Sequence, residues 1–518
     1  MAILGKLIKR GIQIGEKIDN QFDQIPPINH QRRVLRRLVR KAQHTTFGKY
    51  YGFKDILKSK PIIQAFQERV PRFDYDTMHD RWWHMSLNKV DNVTWPGKVK
   101  YFALSSGTSG APSKHIPITD DMTRAMRKAG LKTFLSLSNF DISPNLFTKE
   151  MMMLGGTSDL QDQGGFYAGD LSGINASKPP FWLRPYYKPG TKISRINEWD
   201  SRIAAIIEKA PSWDIGYIVG IPSWLQLMME RIIEHHRLDT IHDIWPNLQV
   251  CVHGGVHFEP YKRGFERLLA QPLIYMDTYL ASEGFIAFQE RPETRAMRLL
   301  LHCGIFFEFI PFREEYFDDD GNPIGDPPVL SIDQVEEGEN YALLLSTCAG
   351  AWRYAIGDTV QFTNKARSEI IITGRTKHYL SICGEHLSID NMNQGIQAVE
   401  RTFNLSIPEF TVAAVEDGSF FAHQWYIGTP RPRHVTEEQM AAVLDEALSA
   451  VNADYATERT SVLKDIRIQP LPIEVFYDYH RLHGRMGGQN KFPRVMKGQR
   501  LETWQAFLHE KGYAPRHT

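Results

Sequence analysis

The stretch YFALSSGTSGAPSKHIPIT, from Tyr101 to Thr119, has the residue types that an anion-binding loop needs. An apolar strand leads into small hydroxyl residues, and glycines among them would let the backbone turn its N–H groups towards one point. Hydroxyl donors and a lysine charge would add to those amides. We therefore predict a phosphate-binding loop formed by Ser105, Ser106, Gly107, Thr108, Ser109 and Lys114.

The spacing of this loop excludes two better-known motifs. A Walker A loop requires Gly-x4-Gly-Lys-Ser/Thr, whereas this chain reads GTSGAPSK from Gly107. The nucleophile elbow Gly-x-Ser-x-Gly is absent because Ser109 is followed at once by Gly110. On composition alone, a solvated Ser/Gly linker remains an open alternative.

Four further motifs follow the loop, and all five together resemble the adenylate-forming superfamily in content and order. They are HGGV at His253–Val256, YLASE at Tyr279–Glu283, WRYAIGD at Trp352–Asp358 and ITGRTKHYLSICGE at Ile372–Glu385. Within that superfamily, VPRFDYDTM before the loop and QNKFPR at Gln489–Arg494 resemble the Gretchen Hagen (auxin-responsive) acyl-acid amido synthetases. The resemblance spans about residues 30–500, nearly the whole chain.

The resemblance implies a ligase that uses ATP and Mg²⁺ in two steps. A small carboxylic acid first attacks the α-phosphorus of ATP, which gives an acyl-adenylate and releases pyrophosphate. The amine of an amino acid then takes the acyl group, which gives an amide and AMP. Such an enzyme must hold the phosphates, neutralise their charge and align the acid with the phosphorus.

The resemblance also implies roles for the residues nearest the phosphates. The loop would hold the β- and γ-phosphates, with Thr108 and Ser109 assisting catalysis. Glu283 would bind Mg²⁺, since one carboxylate with phosphate oxygens is a usual ligand set for that ion. Lys491 would swing in with the C-terminal domain to offset negative charge during adenylation. The structural alternatives are an exposed carboxylate at a helix start for Glu283 and an ordinary surface lysine for Lys491.

Other motif residues would contact the nucleoside. Tyr279 would stack on adenine, unless it is a core aromatic, and Asp358 would accept both ribose hydroxyls, unless it is a turn residue. The aromatic of the fourth motif is shifted, because Trp352 precedes the arginine and Tyr354 follows it, so the ring that meets the nucleotide stays open. The remaining expected contacts are Gly254, Gly255 and Val256 beside adenine, Ser282 towards the phosphate, and Arg375 towards ribose or phosphate.

The acyl pocket is predicted only loosely. Residues 161–195 are rich in Gly, Pro, Tyr and Trp with weak periodicity, which suits a long loop that lines a pocket. Phe166, Tyr167 and Trp182 are the candidate substrate contacts, with core packing as the alternative. An aryl or an aliphatic acid would suit these side chains equally.

These motifs require an α/β scaffold with two domains. Strands alternating with helices predict a large N-terminal domain, residues 1–375, with mostly parallel sheets. Short β runs from about 299 to 375 predict a β-barrel-like subdomain within it. A smaller mobile α/β domain, residues 376–518, would follow a hinge at 374–377. Locally we expect the Ser-rich loop to run from a strand into a helix that opens at Asp120 and Asp121.

Composition limits the remaining possibilities. The 518 residues carry 61 basic and 60 acidic side chains, a balance that argues against a nucleic-acid partner. Four separated cysteines indicate reduced thiols in a cytoplasmic enzyme. No run reaches the length of a membrane span, and the basic amphipathic N-terminus predicts a surface helix, with a membrane-surface helix as the alternative.

Three alternatives stay open at this point. An acyl-CoA ligase, or another enzyme that forms acyl-adenylates, would use the same nucleotide motifs. A nucleotide-binding sensor or interaction protein would keep the fold without the reaction. Cys251, His253 and His257 have the residue types of a zinc site, although a strand followed by a Gly-Gly turn would spread them apart.

Overall fold

The protein was analysed as a computed structural model. It forms two compact units, the first of Met1–Leu104 and His115–Lys377 and the second of Ser105–Lys114 and His378–Thr518. The structure describes residues 25–105, 114–177, 184–255, 258, 261–313, 315–318, 321–376, 379–380, 382–385, 387–417, 420–429, 435–482 and 492–513. The basic N-terminal segment considered above lies outside this part of the chain.

The first unit opens with the long helix α1, Pro27–Ala42, which has proline at its start and a buried stripe of Val34, Leu35, Leu38 and Val39. The later helices are α2 Thr46–Tyr50, α3 Phe53–Lys58, α4 Ile62–Arg69, α5 Tyr75–Met78, α6 His84–Leu87, α7 Asp120–Ser136, α8 Leu171–Ala176, α9 Thr191–Ser194, α10 Trp199–Lys209, α11 Pro222–His236 and α12 Lys262–Arg267.

Fifteen strands lie in the described part of the first unit and form two sheets. They are β1 Tyr101–Ser105, β2 Lys114–Ile118, β3 Glu150–Leu154, β4 Gln161–Asp162, β5 Tyr167–Gly169, β6 Tyr187–Lys188, β7 Ile215–Gly220, β8 Val250–Gly254, β9 Ile274–Ala281, β10 Gly284–Phe288, β11 Met297–Leu299, β12 Ile305–Pro311, β13 Asn340–Thr347, β14 Tyr354–Asn364 and β15 Glu369–Arg375.

The large sheet has eleven strands in the order β12-β13-β14-β15-β11-β10-β9-β8-β7-β3-β6. The five strands from β9 to β6 are parallel, as expected for an α/β core. Their carboxyl ends therefore lie along one edge, where ligands of open α/β sheets usually bind. The other six strands are antiparallel and come from the β-rich segment that begins near residue 299, together with β10.

The antiparallel part of this sheet curls around its own core. Side chains from all seven strands between β9 and β12 meet in one buried cluster that includes Tyr279, Ile286, Met297, Leu343 and Val360. A barrel-like interior was expected here. The added finding is that these strands continue the parallel sheet without a break in hydrogen bonding.

The small sheet carries the ends of the Ser-rich loop, in the order β2-β1-β5-β4. Residues 106–113 lie outside the described chain, and strands β1 and β2 on either side of them are neighbours in this sheet. The expected order of strand, loop and helix is wrong in one respect, because β2 intervenes before α7. The helix itself begins as expected at Asp120, and its N-cap Thr119 accepts a hydrogen bond from the backbone of Met122.

Residues 161–195 are not one long loop. Short elements β4, β5, α8, β6 and α9 occupy much of this stretch. Asp170 caps α8 by accepting from the backbone N–H groups of Ser172 and Gly173. Elements this short carry too few residues for a periodic pattern, which explains why the sequence suggested a loop.

The second unit is α/β, as expected. It contains the ribbon β16 Tyr379–Leu380 and β17 Leu387–Ser388, and a three-stranded sheet of β18 Glu409–Asp417, β19 Phe420–Gly428 and β20 Leu463–Leu471. Its helices are α13 Ile389–Phe403, α14 Glu437–Val451, α15 Ala453–Ser461, α16 Ile473–Leu482 and α17 Gly498–Glu510. Thr436 and Gln439 form a capping box at the start of α14. Across both units, none of the described helices has the length and apolarity to cross a membrane.

Candidate active site

Glu283 lies in the tight turn between β9 and β10, at the carboxyl edge of the parallel strands. Ser282 and Glu283 are the two residues between the paired Ala281 and Gly284. Glu283 is buried, with 8% of its surface exposed, so the alternative of an exposed carboxylate at a helix start is wrong. The turn therefore holds a carboxylate that water hardly reaches.

Tyr354 is the hydrogen-bonding partner of this carboxylate. Burial raises the pKa of the Tyr354 phenol, and the nearby charge of Glu283 raises this pKa further. The phenol therefore stays protonated and donates to the Glu283 carboxylate. Tyr354 is the ring after the motif arginine, and it is this aromatic that reaches the candidate site.

The two residues before Tyr354 are structural. Trp352 is fully buried in a core cluster and donates its indole N–H to the backbone oxygen of Thr94. Arg353 is also buried, and its Nε lies 3.1 Å from one carboxylate oxygen of Glu308 and 3.2 Å from the other. Of the two rings beside the motif arginine, Trp352 is therefore excluded as the one that approaches a nucleotide in this conformation.

Asp358 is held by a tyrosine on one side and an arginine on the other. Its Oδ2 accepts from the Tyr279 hydroxyl at 2.5 Å, and its Oδ1 accepts from Arg375 Nε at 2.6 Å. Asp358 and Arg375 are also directly paired across β14 and β15. Each carboxylate oxygen keeps a lone pair for another donor, such as a sugar hydroxyl.

Tyr279 was expected to stack on adenine, and the structure gives its ring another position. The ring is 5% exposed and packs in the cluster of the curled sheet, which leaves little face for a base. Burial, followed by the charge of Asp358, raises the pKa of Tyr279, so its hydroxyl acts as a donor. In this conformation Tyr279 orients Asp358.

Strand β2, which follows the Ser-rich loop, is connected to Glu283 through a series of side-chain contacts. The backbone N–H of His115, in β2, donates to the Tyr75 hydroxyl at 2.9 Å. Tyr75 in turn acts electrostatically on Tyr354, and Trp83 packs against both rings. This chain of contacts runs from the end of the loop to Glu283. Lys114, the first residue of β2, is half-buried.

The Gly-Gly turn closes β8 beside β9. A Cβ on Gly254 would lie 2.4 Å from the backbone oxygen of Thr278, so only glycine allows the two strands to approach there. Gly255 has φ +85°, a left-handed conformation that suits glycine. Both glycines lie at the same sheet edge as Ser282. Val256 lies outside the described residues.

The carboxylate set suits magnesium better than zinc. Glu283 offers one buried oxygen-donor group, and Mg²⁺ commonly takes one or two carboxylates with phosphate oxygens completing its shell. Within the described ranges, His, Cys, Asp and Glu form no group of three or more that could hold a metal ion. Of the zinc candidates, Cys251 is buried and its pKa is raised by burial, while His257 lies outside those ranges.

The weaker substrate candidates lie on the small sheet. Phe166 packs edge-on against Phe102 at 4.8 Å between ring centroids, and Tyr167 stacks on Tyr101 at 5.8 Å. The structure gives these two rings contacts with β1 and none with Tyr279 or Glu283 among the described interactions. Trp182, Lys491 and the loop residues Ser106, Gly107, Thr108 and Ser109 lie outside the described chain, and Ser105 is the last residue of β1.

Sequence reasoning missed Tyr75 and left Tyr354 undecided. A signal for Tyr75 exists in VPRFDYDTM, where Asp74 and Thr77 form a capping box that fixes the start of α5. The site contains two buried carboxylates, those of Glu283 and Asp358. The phenols of Tyr354 and Tyr279 donate to them, and the guanidinium of Arg375 pairs with Asp358. The glycine-containing end of β8 lies at the same sheet edge. These side chains can accept hydrogen bonds from hydroxyl groups and ligate a cation, and the guanidinium can offset negative charge beside a Ser/Gly-rich loop.

Comparisons with known proteins show the family of this chain. Residues 23–210 match the GH3 family N-terminal domain, residues 298–369 its central domain and residues 390–500 its C-terminal domain. In sequence, indole-3-acetic acid-amido synthetase GH3.3 of Arabidopsis thaliana is 21% identical over 90% of this chain and 89% of its own length. GH3.15 of the same plant is 25% identical over 38% of this chain.

Several relatives match over shorter regions than GH3.3 does. The match to GH3.15 covers 35% of that relative's length, and the match to rice GH3.12 covers 47%. In structure, the GH3.15 acyl acid amido synthetase aligns with a TM-score of 0.56 at 15% identity over 93% of both chains. A 2-hydroxyisobutyryl-CoA ligase, solved with its adenylate and CoA, aligns with the same TM-score at 13% identity over 94% of this chain and 93% of its own. These two likenesses show that the chain shares the fold of both proteins.

Proposed function

Because the chain belongs to the GH3 family, we propose that it is an ATP-dependent acyl-acid amido synthetase that forms amides through an acyl-adenylate. The observation that carries this proposal is the convergence of Glu283, Tyr354, Tyr279, Asp358 and Arg375 at one sheet edge. These residues come from separate motifs, and a ribose and a phosphate need carboxylate and cationic groups close together. The names of the matched relatives support the same reaction class.

In the first step the protein brings an acid to the α-phosphorus of ATP. Asp358, oriented by Tyr279 and Arg375, accepts the ribose hydroxyls with its remaining lone pairs. Arg375 sits beside it and reaches towards ribose or phosphate. Ser105 to Ser109 and Lys114 hold the β- and γ-phosphates, while Gly254, Gly255 and Val256 line adenine. Ser282 donates towards the phosphate or the adenylate.

Glu283 holds Mg²⁺, which supplies charge neutralisation for the phosphates when it is bound. Tyr354 donates to Glu283 and so fixes the direction of the carboxylate. Lys491 provides a further cation for the charge that develops as pyrophosphate leaves. The attack forms a bond between a carboxylate oxygen and the α-phosphorus and breaks the bond to the pyrophosphate oxygen.

In the second step the amine of an amino acid attacks the carbonyl carbon of the acyl-adenylate. The carbon–nitrogen bond forms, AMP leaves with the phosphate oxygen, and the amine loses a proton to solvent or to a nearby base. The second unit, which begins after Lys377, would turn about residues 374–377 between the two steps. A cytoplasmic location, where ATP and amino acids are available, completes the proposal.

Product analysis tests which acceptor is used. Purified protein, ATP, Mg²⁺ and a panel of carboxylic acids would be incubated with amino acids or with CoA, and products would be identified by mass spectrometry. The proposal expects an amide with an amino acid and no thioester with CoA. A thioester without any amide would instead assign an acyl-CoA ligase, the activity of one structural neighbour.

A further inference from the structure

Arg202, on α10, is a buried cation with unsatisfied nitrogens. It is 5% exposed, and neither its Nε nor its Nη1 has a hydrogen-bond partner in the structure described. Burial lowers the pKa of Arg202, and the charge of Asp170 only partly opposes this. Two buried N–H-bearing nitrogens without hydrogen-bond partners are costly, so their presence calls for a ligand with which the guanidinium could pair.

The guanidinium lines a cavity at the carboxyl end of β3. The cavity is small and open to solvent at its mouth, and Gly155, Gly156, Ser172, Tyr187 and Ser194 line it with Arg202. A Cβ on Gly155 would lie 2.5 Å from Ser172 Oγ, so glycine there lets α8 close one wall. The wall side chains are otherwise neutral, so the cavity suits a small anionic group.

Two contacts define the position of the guanidinium. Its central carbon lies 5.1 Å from the ring centroid of Trp199, a distance typical of a cation above an aromatic face. The carboxylate of Asp170 acts electrostatically on the Arg202 guanidinium. Asp170 already accepts hydrogen bonds from the backbone N–H groups of Ser172 and Gly173 in the cap of α8. A planar guanidinium with unsatisfied N–H groups is the side chain best suited to bind a carboxylate with two hydrogen bonds.

This cavity and the nucleotide residues open on the same sheet edge. Strands β3, β7, β8 and β9 are consecutive and parallel, so Gly155 after β3 and Ser282 after β9 lie on one side. Three strand spacings separate these positions, which corresponds to roughly 14–15 Å. A ligand that reached both would be an extended molecule.

We propose that the Arg202 cavity binds a second carboxylate of the acid substrate, remote from the carboxyl group that is adenylated. This inference rests on the proposed function and names its substrate class as acids that carry an additional terminal carboxylate. The amino acid acceptor also has a carboxylate, but that group must stay within a few bonds of the reacting carbonyl. The separation of the cavity from β9 therefore favours the acid.

The test compares substrates with and without the second carboxylate. Pyrophosphate exchange would be measured with α,ω-dicarboxylic acids and with monocarboxylic acids of equal chain length, in the wild type and in Arg202→Gln. Loss of hydrogen bonds to a charged group should lower kcat/KM for dicarboxylates by about 10- to 100-fold. For monocarboxylates the change should stay within about threefold. An equal loss for both series, or no loss, would overturn the proposal.

Arg231→Gln is the matched control. Arg231 lies on the neighbouring α11, where its Nη1 pairs with Asp200 of α10 at 2.7 Å on the exposed side. This variant should leave both acid series unchanged. A further arm measures amide formation with alanine and with alaninamide. If Arg202→Gln lost amide formation with alanine but not with alaninamide, and kept its preference among acids, Arg202 would bind the carboxylate of the amino acid acceptor. That result would overturn the proposal.

Thermal unfolding separates this proposal from the proposed function. Removal of a buried charge whose Nε and Nη1 lack hydrogen-bond partners should leave the unfolding midpoint of substrate-free Arg202→Gln no lower than that of the wild type. Dicarboxylates should raise the midpoint of the wild type but not of the variant. If exchange is absent with every acid, the proposed function fails, yet this differential shift would still support the carboxylate site. The absence of any such shift as well would overturn the site.

Discussion

Tyr279 donates its hydroxyl to Asp358 at 2.5 Å, although 79 residues of chain separate them. Tyr279 lies on β9 and Asp358 on β14, and three other strands stand between these two in the sheet. In a flat sheet that separation would be roughly 19 Å. The curl of the antiparallel strands is therefore what assembles the site, and changes at this hydrogen bond should be felt in nucleotide binding.

Removal of the Asp358 carboxylate charge should weaken ATP binding. Asp358→Asn should raise the KM for ATP by about 10- to 100-fold, since hydrogen bonds to a charged acceptor contribute roughly 1.5–3 kcal/mol. Tyr279→Phe keeps the ring and deletes only the hydroxyl, so its effect should have the same direction and be smaller. Initial rates over a range of ATP concentrations check this. An unchanged KM in Asp358→Asn would contradict the ribose role.

Neutralising Glu283 should stop the first half-reaction. Glu283→Gln keeps the shape of the side chain but loses the charge that would hold Mg²⁺, so pyrophosphate release should fall by about 100-fold or more. Glu293→Gln, at an exposed carboxylate nearby, serves as control. Raising the Mg²⁺ concentration should partly restore activity in Glu283→Gln. Full activity of this variant at low Mg²⁺ would refute the metal role.

Lys491 should matter for adenylation more than for amide formation. Lys491→Ala should slow pyrophosphate exchange by about 100-fold, because a positioned cation acts where charge develops in the transition state. Amide formation from a chemically prepared acyl-adenylate should change little. Lys511→Ala, a half-exposed lysine of the same unit, is the control. Equal loss in both half-reactions would assign Lys491 a structural role instead.

The buried pair of Arg353 and Glu308 should be important for stability. Glu308 is fully buried and also accepts from Gln67 Nε2 at 3.0 Å. Glu308→Gln would leave the Arg353 guanidinium uncompensated, and breaking such a pair costs on the order of 3–5 kcal/mol. Thermal unfolding should show a clearly lowered midpoint, whereas Glu339→Gln in an exposed pair should not. An unaltered midpoint in Glu308→Gln would contradict this.

His302 should make stability fall as the solution becomes acidic. Burial, with the nearby charges of Lys132, Lys128, His30 and Arg298, lowers the pKa of His302 from 6.5 to about 3. Below pH 6.5 the unfolded chain takes up a proton that the folded chain refuses, so this contribution to stability is complete above pH 6.5 and declines towards pH 3.

His302→Gln should therefore flatten the dependence of the unfolding midpoint on pH between 6.5 and 4. His509→Gln, at an exposed position in the last turn of α17, should retain the slope of the wild type. Identical slopes in all three proteins would show that His302 titrates normally in the folded state.

Much of the candidate site could be predicted because its residues lie within short motifs. Glu283 and Ser282 share one turn, and Asp358 ends a run whose glycine marks the position. The bond between Tyr354 and Glu283 could not be predicted, since it depends on how far the sheet curls, and no local pattern encodes that curvature. Tyr279 was misjudged for the same reason, because only the curl buries its ring.

Arg202, the candidate for binding the second carboxylate of the acid, could not be predicted from the sequence either. Arg202 follows two polar residues on a helix whose pattern suggests an exposed side chain. It lies beside residues of other elements, such as Ser172 of α8 and Tyr187 of β6, and such tertiary packing leaves no local pattern. Strand β2 was not predicted because the Ser/Gly loop lies directly before it and the helix start signals lie directly after it. The sequence therefore suggested that the loop led straight into the helix.

Exchange of labelled pyrophosphate into ATP is the most direct test of the central claim. The account predicts exchange that requires both Mg²⁺ and a carboxylic acid, and that Glu283→Gln abolishes. If no organic acid in a broad panel supports exchange by the wild-type protein, the residues gathered around Glu283 and Asp358 do not form an adenylation site.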